Sequence, residues 1–208
     1  MKTLLVACFS AVLTVSASLA SAAGAAPGVG QPAPAFSVRD TAGKTVSLAD
    51  YKGKTVVLEW VNPGCPYVQK HYNSSNMQGT QKEASATGAV WLAINSTATS
   101  ASDYKTPAAM AQWMQSQKAG ATATLMDSDG KVGRAYGART TPHLYIVDAA
   151  GILVYAGGID SKPSSNPADI VTATNYIKQS LAEMRAGKPL SAPTTRPYGC
   201  SVKYGADA

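Results

Sequence analysis

The chain is poor in cysteine, histidine and charged residues. Its 208 residues include 3 cysteines and 2 histidines, and Asp, Glu, Lys and Arg together make up 14%. Cysteines and histidines this few and this scattered argue against a metal site. The formal net charge of +6 comes from lysines and arginines spread along the chain, which argues against binding to nucleic acid. We therefore expect no metal, no cofactor and no nucleic-acid partner.

The long apolar run that a membrane anchor needs is also missing. Lys2 precedes an apolar run over residues 4–15, which is too short to span a bilayer. Residues 20–22, Ala-Ser-Ala, then form a small-x-small cleavage site, so residues 1–22 predict a secretory signal peptide. We expect an exported protein, periplasmic or secreted, that does not stay in the membrane after the signal is cleaved.

Removal of the signal leaves Cys65 and Cys200 as the cysteines of one domain. Residues 23–34, rich in Ala, Gly and Pro, predict a flexible lead-in. Residues 35–187 predict the folded domain, and residues 188–208 predict an irregular tail that carries Cys200. An exported protein meets oxidising conditions, in which two cysteines can form a disulfide.

The stretch around Cys65 predicts a strand, a turn and a helix. Residues 55–61 are apolar except for Glu59, as in a strand buried on both faces. Residues 62–64, Asn-Pro-Gly, form the turn, and Pro66 suits the first position of a helix. Cys65 is therefore expected at a helix N-terminus, where free amides and the helix dipole favour a thiolate. A thiolate is the nucleophile in disulfide exchange and in peroxide reduction.

The order of predicted elements indicates an α/β fold. An N-terminal hairpin is followed by strand–helix–strand–helix and then by strand–strand–helix, which implies a mixed sheet with helices on both faces. The first helix is expected to break near residues 73–75, and the last to begin at Asn166 and end at Gly187. The predicted strands are residues 35–38, 45–48, 55–61, 89–94, 122–126, 143–147 and 152–155.

Three separated motifs resemble the redoxin family, the alkyl hydroperoxide reductase and thiol-specific antioxidant superfamily. They are Gly64-Cys65-Pro66-Tyr67-Val68, Arg139-Thr140-Thr141-Pro142-His143 and Gly199-Cys200-Ser201-Val202-Lys203-Tyr204. The first is similar to the Cys-Pro-Tyr-Val active site of a peroxiredoxin-like subgroup. The resemblance implies a thioredoxin-like three-layer sandwich with an N-terminal β-hairpin.

Two departures from the family pattern bear on the activity. The second cysteine of a thioredoxin Cys-x-x-Cys motif would stand at position 68, which is Val68. Dithiol chemistry within one helical turn is therefore excluded. The peroxidatic signature of peroxiredoxins has Pro and Thr or Ser where this chain has Leu58 and Asn62, which weakens the case for efficient peroxide reduction, although Asn62 could still donate hydrogen bonds.

The resemblance and the residues together suggest roles around Cys65, the expected nucleophile. Glu59 lies where thioredoxins hold a buried carboxylate that accepts a proton from the active-site thiols. The alternative is that Glu59 is only a partly exposed acid at the edge of a strand. Arg139 could stabilise the Cys65 thiolate, or could be an ordinary surface arginine. The resemblance implies a cis peptide bond at Pro142, which would expose the backbone of Thr141 for pairing with a substrate peptide.

Cys200 has three readings from the sequence. It is the resolving thiol that closes a disulfide with Cys65 during turnover, or it forms a permanent staple with Cys65, or it stays unpaired while Cys65 acts alone. The Pro-rich approach to Cys200 could let it reach the active site, but the sequence does not fix the distance between the two sulfurs.

Two hypotheses of function follow. The first is an exported thiol-dependent oxidoreductase that uses Cys65 for thiol–disulfide exchange or hydroperoxide reduction. Its partners would be a protein disulfide or a small peroxide, with an unidentified thiol reductant. The second is a non-catalytic thioredoxin-fold module that binds a protein, with a structural Cys65–Cys200 disulfide. The helix-terminal cysteine favours the first, and the absence of a cysteine at Val68 favours the second.

Overall fold

The computed structural model describes residues 27–206, and the predicted signal peptide lies outside these residues. The strands are β1 (Ser37–Arg39), β2 (Thr45–Ser47), β3 (Val56–Trp60), β4 (Val90–Asn95), β5 (Ala123–Met126), β6 (Thr140–Thr141), β7 (His143–Val147), β8 (Leu153–Gly157) and β9 (Cys200–Ser201). The helices are α1 (Pro66–Asn73), α2 (Asn76–Ala86), α3 (Pro107–Ser116), α4 (Lys131–Tyr136) and α5 (Tyr176–Arg185).

A five-stranded mixed sheet forms the centre of the molecule, with the strand order β5-β4-β3-β7-β8. Strands β3, β4 and β5 are parallel neighbours, whereas β7 is antiparallel to both β3 and β8. The parallel strands are joined by helices and the antiparallel pair by a tight turn, as the sequence order predicts. The predicted α/β class and mixed sheet are confirmed, and the hairpin β1–β2 is present.

Alternation along β3 divides the core into two layers. Val57, Glu59 and Val61 face a layer that includes side chains of α1, α2, α3 and α5. The intervening residues Leu58 and Trp60 face a second layer that includes the N-terminal hairpin and α4. Both faces of β3 are covered, so all five of its side chains are buried. This arrangement explains the continuous apolar run of the strand and makes the carboxyl group of Glu59 an exception to it.

The break predicted in the first helix is confirmed, whereas the prediction of one long last helix is wrong. Ser75 separates α1 from α2 with a left-handed backbone at φ 60°. Asn166 begins only a 3-10 helix, Pro167–Thr172, and α5 starts afresh at Tyr176. The side chain of Asn175 accepts hydrogen bonds from two backbone amides of the first turn of α5, and an asparagine that caps in this way ends any helix before it.

Residues 27–34 of the lead-in and the irregular tail are both hydrogen-bonded to the sheet. The Gly30 amide donates to the Leu153 carbonyl, and Pro32 forms a bridge with Ile152 at the outer edge of β8. The tail pairs with Ala156 through Thr194 and then continues to β9. Residues 27–34 and 188–206 therefore belong to the same compact fold as the sheet.

Within residues 27–206, no helix is long and apolar enough to cross a membrane.

Candidate active site

The turn that ends β3 places Cys65 at the start of α1. The Asn62 carboxamide holds this turn, because its Oδ1 accepts a hydrogen bond from the Gly64 amide at 2.8 Å. Its Nδ2 donates to Thr97 Oγ1 at 3.2 Å and to Asp103 Oδ2 at 2.9 Å. The Asn62 amide is therefore fully engaged in shaping the turn, and the suggestion that it donates to a substrate does not agree with these contacts.

Cys65 is the residue that caps α1, with Pro66 at the first helical position as predicted. Its backbone carbonyl accepts the amide of Gln69 and so begins the helical hydrogen bonding. The N-terminal end of α1, where the helix dipole is positive, therefore begins at Cys65, although the Cys65 side chain makes no capping hydrogen bond. The side chain is 2% exposed, so the thiol lies beneath other parts of the chain.

The sulfur of Cys65 has two close polar neighbours. Its Sγ lies 2.8 Å from Cys200 Sγ and 3.0 Å from the Thr141 carbonyl oxygen. Both cysteines are free thiols, and a movement of less than about 1 Å would bring the two sulfurs to the about 2.05 Å of a disulfide bond. The structure thus brings together two cysteines that are 135 residues apart in the sequence.

The Thr141–Pro142 peptide bond is cis, and it lies beside the cysteine pair. The backbone of Thr141, however, is not open for pairing. Strand β9 runs antiparallel to β6, with Thr141 opposite Cys200 and Thr140 opposite Ser201. The edge at which the resemblance places a substrate peptide is therefore filled by the chain's own tail.

Gly199 makes this close pairing of the tail feasible. It has a φ of +140°, and a Cβ atom there would lie 2.0 Å from the Thr141 carbonyl oxygen. Any other residue would push the tail away from Thr141 or force the backbone to shift. Glycine is therefore required at position 199 because the backbones of β9 and β6 lie too close together for a side chain, and not because the chain turns there.

Burial and the neighbouring sulfur raise the pKa of Cys200 to about 12, with burial the larger cause. Cys200 therefore keeps its proton at neutral pH, while the Cys65 thiol is placed to donate to Cys200 Sγ or to the Thr141 carbonyl. The two cysteines therefore differ in their surroundings. Cys65 is the N-cap residue of α1, whereas Cys200 lies on the tail and keeps its proton.

Glu59 is fully buried on the same face of β3 as Val61, and the alternative of an exposed strand-edge acid is wrong. Its carboxylate accepts hydrogen bonds from Trp91 Nε1 at 2.8 Å, from Tyr72 Oη at 3.0 Å and from Gln81 Nε2 at 3.3 Å. Burial raises its pKa to about 7, and these three hydrogen bonds oppose that shift only in part. None of the three donors is basic, and none belongs to a cysteine, so its predicted role as proton acceptor has no direct contact to support it.

Arg139 is exposed, and its structural contacts are made by its backbone. Its amide donates to His143 Nδ1 at 3.3 Å, and its carbonyl accepts from the Val202 amide at 3.0 Å. Among the hydrogen bonds and ion pairs of the described residues, none joins its guanidinium to Cys65 or Cys200. This placement agrees with the surface-arginine alternative rather than with a stabiliser of the thiolate.

His143 lies in the core as a neutral side chain. Burial, with a smaller contribution from Arg139, lowers its pKa to about 3. Its Nδ1 accepts a hydrogen bond from the Arg139 amide and lies 3.1 Å from the Tyr145 hydroxyl, which donates to the Tyr136 carbonyl at 3.0 Å. No group of three or more His, Cys, Asp or Glu side chains in residues 27–206 is arranged to hold a metal ion.

Behind the site lies a buried polar cluster that no local sequence pattern indicates. Lys70 Nζ lies 3.5 Å from Asp160 Oδ2, and both side chains are buried. The Tyr198 hydroxyl donates to Asp160 Oδ1 at 2.5 Å and lies 3.1 Å from His71 Nε2. Burial lowers the pKa of His71 to about 4, so this ring is neutral. The cluster connects α1 to the tail two residues before Cys200.

Comparison with known proteins agrees with this geometry. The family model described as AhpC/TSA matches residues 29–156. The chain belongs to the AhpC/TSA family. The predicted redoxin superfamily is thereby confirmed, while the Cys-Pro-Tyr-Val subgroup stays a prediction. A search of curated proteins finds no matching relative.

Solved structures share the fold of this redoxin. An uncharacterized conserved protein from Geobacillus kaustophilus is 25% identical with a TM-score of 0.76, and the match covers 87% of this chain and 94% of that one. The thioredoxin domain of a thiol-disulfide oxidoreductase from Bacteroides vulgatus is 21% identical with a TM-score of 0.51, covering 71% and 98%. These matches establish the thioredoxin-like fold that the resemblance implied.

A third structure relates the redoxin to thiol chemistry. A Chlorobium tepidum protein, provisionally described as the thiol:disulfide interchange protein DsbE, is 25% identical with a TM-score of 0.50, covering 62% of this chain and 84% of that one. Together with the family assignment, this similarity supports a thiol-dependent redox function.

Proposed function

We propose that this redoxin is an exported thiol–disulfide oxidoreductase whose redox centre is the Cys65–Cys200 pair. The observation that carries the proposal is the 2.8 Å separation of the two sulfurs at the N-terminus of α1. Cys200 thereby takes the place of the second cysteine that Val68 excludes from the helix. The two sulfurs are close enough to form a disulfide, as in a dithiol redox centre, although the chain lacks the Cys-x-x-Cys spacing.

The chemistry begins at the Cys65 thiolate, which the helix N-terminus stabilises. In oxidation by a small disulfide, this thiolate attacks one sulfur, forms a mixed disulfide and releases a first thiolate. Cys200 then attacks Cys65 Sγ, its proton passes to the released thiolate, and a second thiolate leaves. Counted from the Cys65 thiolate, the protein loses two electrons and one proton and gains one disulfide, and the small disulfide becomes one thiol and one thiolate.

Hydroperoxide reduction has less support at this site than disulfide exchange. The peroxidatic hydroxyl position holds Asn62, whose amide is already bonded to Gly64, Thr97 and Asp103. Donors that would orient a peroxide oxygen are thus lacking on that side of Cys65. We therefore expect a disulfide to oxidise the pair more readily than a hydroperoxide does.

Export is part of the proposal, and it rests on the sequence of residues 1–22. An oxidising compartment would supply disulfides as oxidants and newly exported thiols as substrates. A thiol reductant or a protein thiol would return the pair to its reduced state.

The test is reaction of the reduced full chain with oxidised glutathione, followed by peptide mapping of each cysteine. The wild type should lose two hydrogen atoms and form the Cys65–Cys200 disulfide. Cys200→Ser should instead accumulate glutathione on Cys65, because the second attack is missing, and Cys65→Ser should form no internal disulfide. Ser201→Ala, at the exposed neighbouring position, should behave as the wild type.

A contrary result would favour the binding module. If a Cys65–Cys200 disulfide resists strong reductant in the folded protein, it is a structural staple. If Cys65 remains unmodified in Cys200→Ser, it is not the nucleophile. Faster oxidation by hydrogen peroxide than by glutathione disulfide would move the assignment to peroxide reduction.

A further inference from the structure

We infer that external protein thiols open the Cys65–Cys200 disulfide by attacking Cys200, and that Cys65 departs as the leaving thiolate. This inference rests on the proposed function and specifies which sulfur its partners meet. The simpler expectation is the reverse, namely that the partner thiol attacks Cys65, the cysteine at the helix N-terminus.

The first argument is that the tail occupies the edge at which a partner peptide would reach Cys65. Strand β9 pairs with β6, so the backbone of Thr141 already has an antiparallel neighbour. The Thr141 carbonyl lies 3.0 Å from Cys65 Sγ, which closes a further side of the sulfur. An extended peptide could pair with Thr141 only after it displaced Cys200 and its neighbours.

The second argument is that the tail is fastened on both sides of Cys200. Before it, the Tyr198 hydroxyl donates to the buried carboxylate of Asp160. After it, the Tyr204 hydroxyl donates to the Ala138 carbonyl at 2.7 Å. The Val202 amide also donates to the Arg139 carbonyl at 3.0 Å. Displacement of the tail would break these contacts, so exchange with the tail in place is the easier route.

The third argument is the difference in access between the two sulfurs. Cys65 is 2% exposed, whereas Cys200 is partly exposed. A pocket of about 480 Å³ runs along the tail and is bordered by Thr140 and Gly199, the sequence neighbours of Thr141 and Cys200. Neither cysteine lines this pocket, but Cys200 has exposed surface that a partner can approach without unpairing β9.

The chemistry of the step favours the same direction. A partner thiolate attacks Cys200 Sγ, a new sulfur–sulfur bond forms there, and the Cys65–Cys200 bond breaks with its electron pair on Cys65. The helix N-terminus stabilises that developing charge, and a stabilised thiolate is the better leaving group. A second thiolate of the partner then attacks the partner sulfur of the mixed disulfide. Cys200 leaves and takes up one proton from solvent while Cys65 stays a thiolate, so the protein gains two electrons and one proton and the partner gains one disulfide.

The test locates the first adduct on the oxidised full chain. The disulfide form is mixed briefly with a cysteine-containing peptide, quenched with acid, alkylated and mapped by mass spectrometry. Adducts on Cys200, with alkylated Cys65, should exceed the reverse by on the order of tenfold. Adducts mainly on Cys65, or in equal amounts on both, would overturn the inference while leaving the proposed redox pair intact. A disulfide that no thiol opens would contradict the proposed function itself.

Gly199→Ala supplies a matched comparison, because its methyl group would collide with the Thr141 carbonyl and lift β9 from β6. The adduct should then shift towards Cys65. If Gly199→Ala does not fold, Tyr198→Phe loosens the same tail with no steric clash and should shift the adduct in the same direction. An unchanged ratio in a folded variant with increased tail mobility would show that the tail does not direct the attack.

Discussion

At the scale of single residues, burial sets the ionisation of Glu59. Its pKa rises from an ordinary 4.5 to about 7 in the folded protein, because desolvation disfavours the carboxylate. Between these values the folded protein keeps a proton that the unfolded chain has lost, so stability falls as pH rises and then levels off above about pH 7. At about 1.4 kcal/mol per pKa unit, the full loss is about 3.5 kcal/mol.

Glu59→Gln should remove this contribution. The amide keeps an oxygen for Trp91 and can donate to the Tyr72 hydroxyl, but it carries no charge. Between about pH 5 and about pH 8, the wild type should lose about 2–3 kcal/mol more unfolding free energy than the variant, measured by urea titration. Titration of the buried histidines contributes equally to the pH dependence of both proteins, so it cancels in the comparison. Glu83→Gln, at an exposed position of α2, should follow the wild type, and equal pH dependence in Glu59→Gln would contradict the assignment.

At the scale of elements, a buried ion pair joins α1 to the loop after β8. Lys70 and Asp160 are both buried, and the Lys70 ammonium also donates to the Lys162 carbonyl at 3.0 Å. Removal of one buried charge leaves its partner uncompensated, and the expected cost is about 3–5 kcal/mol. Neutralising both partners should cost much less.

Lys70→Met should therefore lower the unfolding free energy by about 3–5 kcal/mol, and Lys70→Met with Asp160→Asn should recover part of that loss. Lys178→Met breaks the more exposed pair with Glu83 and should cost less than about 1 kcal/mol. Urea unfolding of the four proteins makes the comparison. A Lys70→Met protein as stable as Lys178→Met would show that the buried pair contributes little.

The tail strand β9 covers Thr141 beside the cysteine pair, and the Tyr198 hydroxyl anchors the tail two residues before Cys200. Tyr198→Phe keeps the aromatic contact with Tyr67 but loses the hydrogen bond to the Asp160 carboxylate. A hydrogen bond to a charged group contributes about 1.5–3 kcal/mol. The variant should lose stability in that range and show faster amide exchange at Val202.

A matched control for the tail is Tyr51→Phe. The Tyr51 hydroxyl makes no hydrogen bond to another residue within 27–206, so its removal should leave both stability and exchange at Val202 unchanged. If Tyr198→Phe and Tyr51→Phe behave alike, the tail is held by its backbone pairing with β6 rather than by this anchor.

At the scale of the whole molecule, the sheet could be predicted because its strands carry local signals. The apolar run of β3 and the proline after Cys65 are readable from a few neighbouring residues. The tail could not be predicted, since β9 pairs with a strand of two residues far away in the sequence and has no pattern of its own. Lys70 and Asp160 were missed for the same reason, because their pairing depends on tertiary distance.

A Cys65–Cys200 disulfide would link the redox state to the stability of the whole chain. Closing a loop of 135 residues would stabilise the fold by about 5 kcal/mol in the chain-entropy model. The oxidised protein should therefore unfold at higher urea concentration than the reduced protein. Cys200→Ser should remove the difference between oxidising and reducing conditions, and an unchanged difference in that variant would show that the stabilisation has another source.

The reduction potential of the Cys65–Cys200 couple tests the central claim most directly. Full-length protein equilibrated in a series of thiol–disulfide buffers, acid-quenched and alkylated, gives the oxidised fraction of this pair by peptide mapping. An exchanging centre should show a reversible midpoint between about −120 and −270 mV. A pair that stays oxidised in buffers below about −300 mV, or that never forms the bond, would contradict a redox role for these two cysteines.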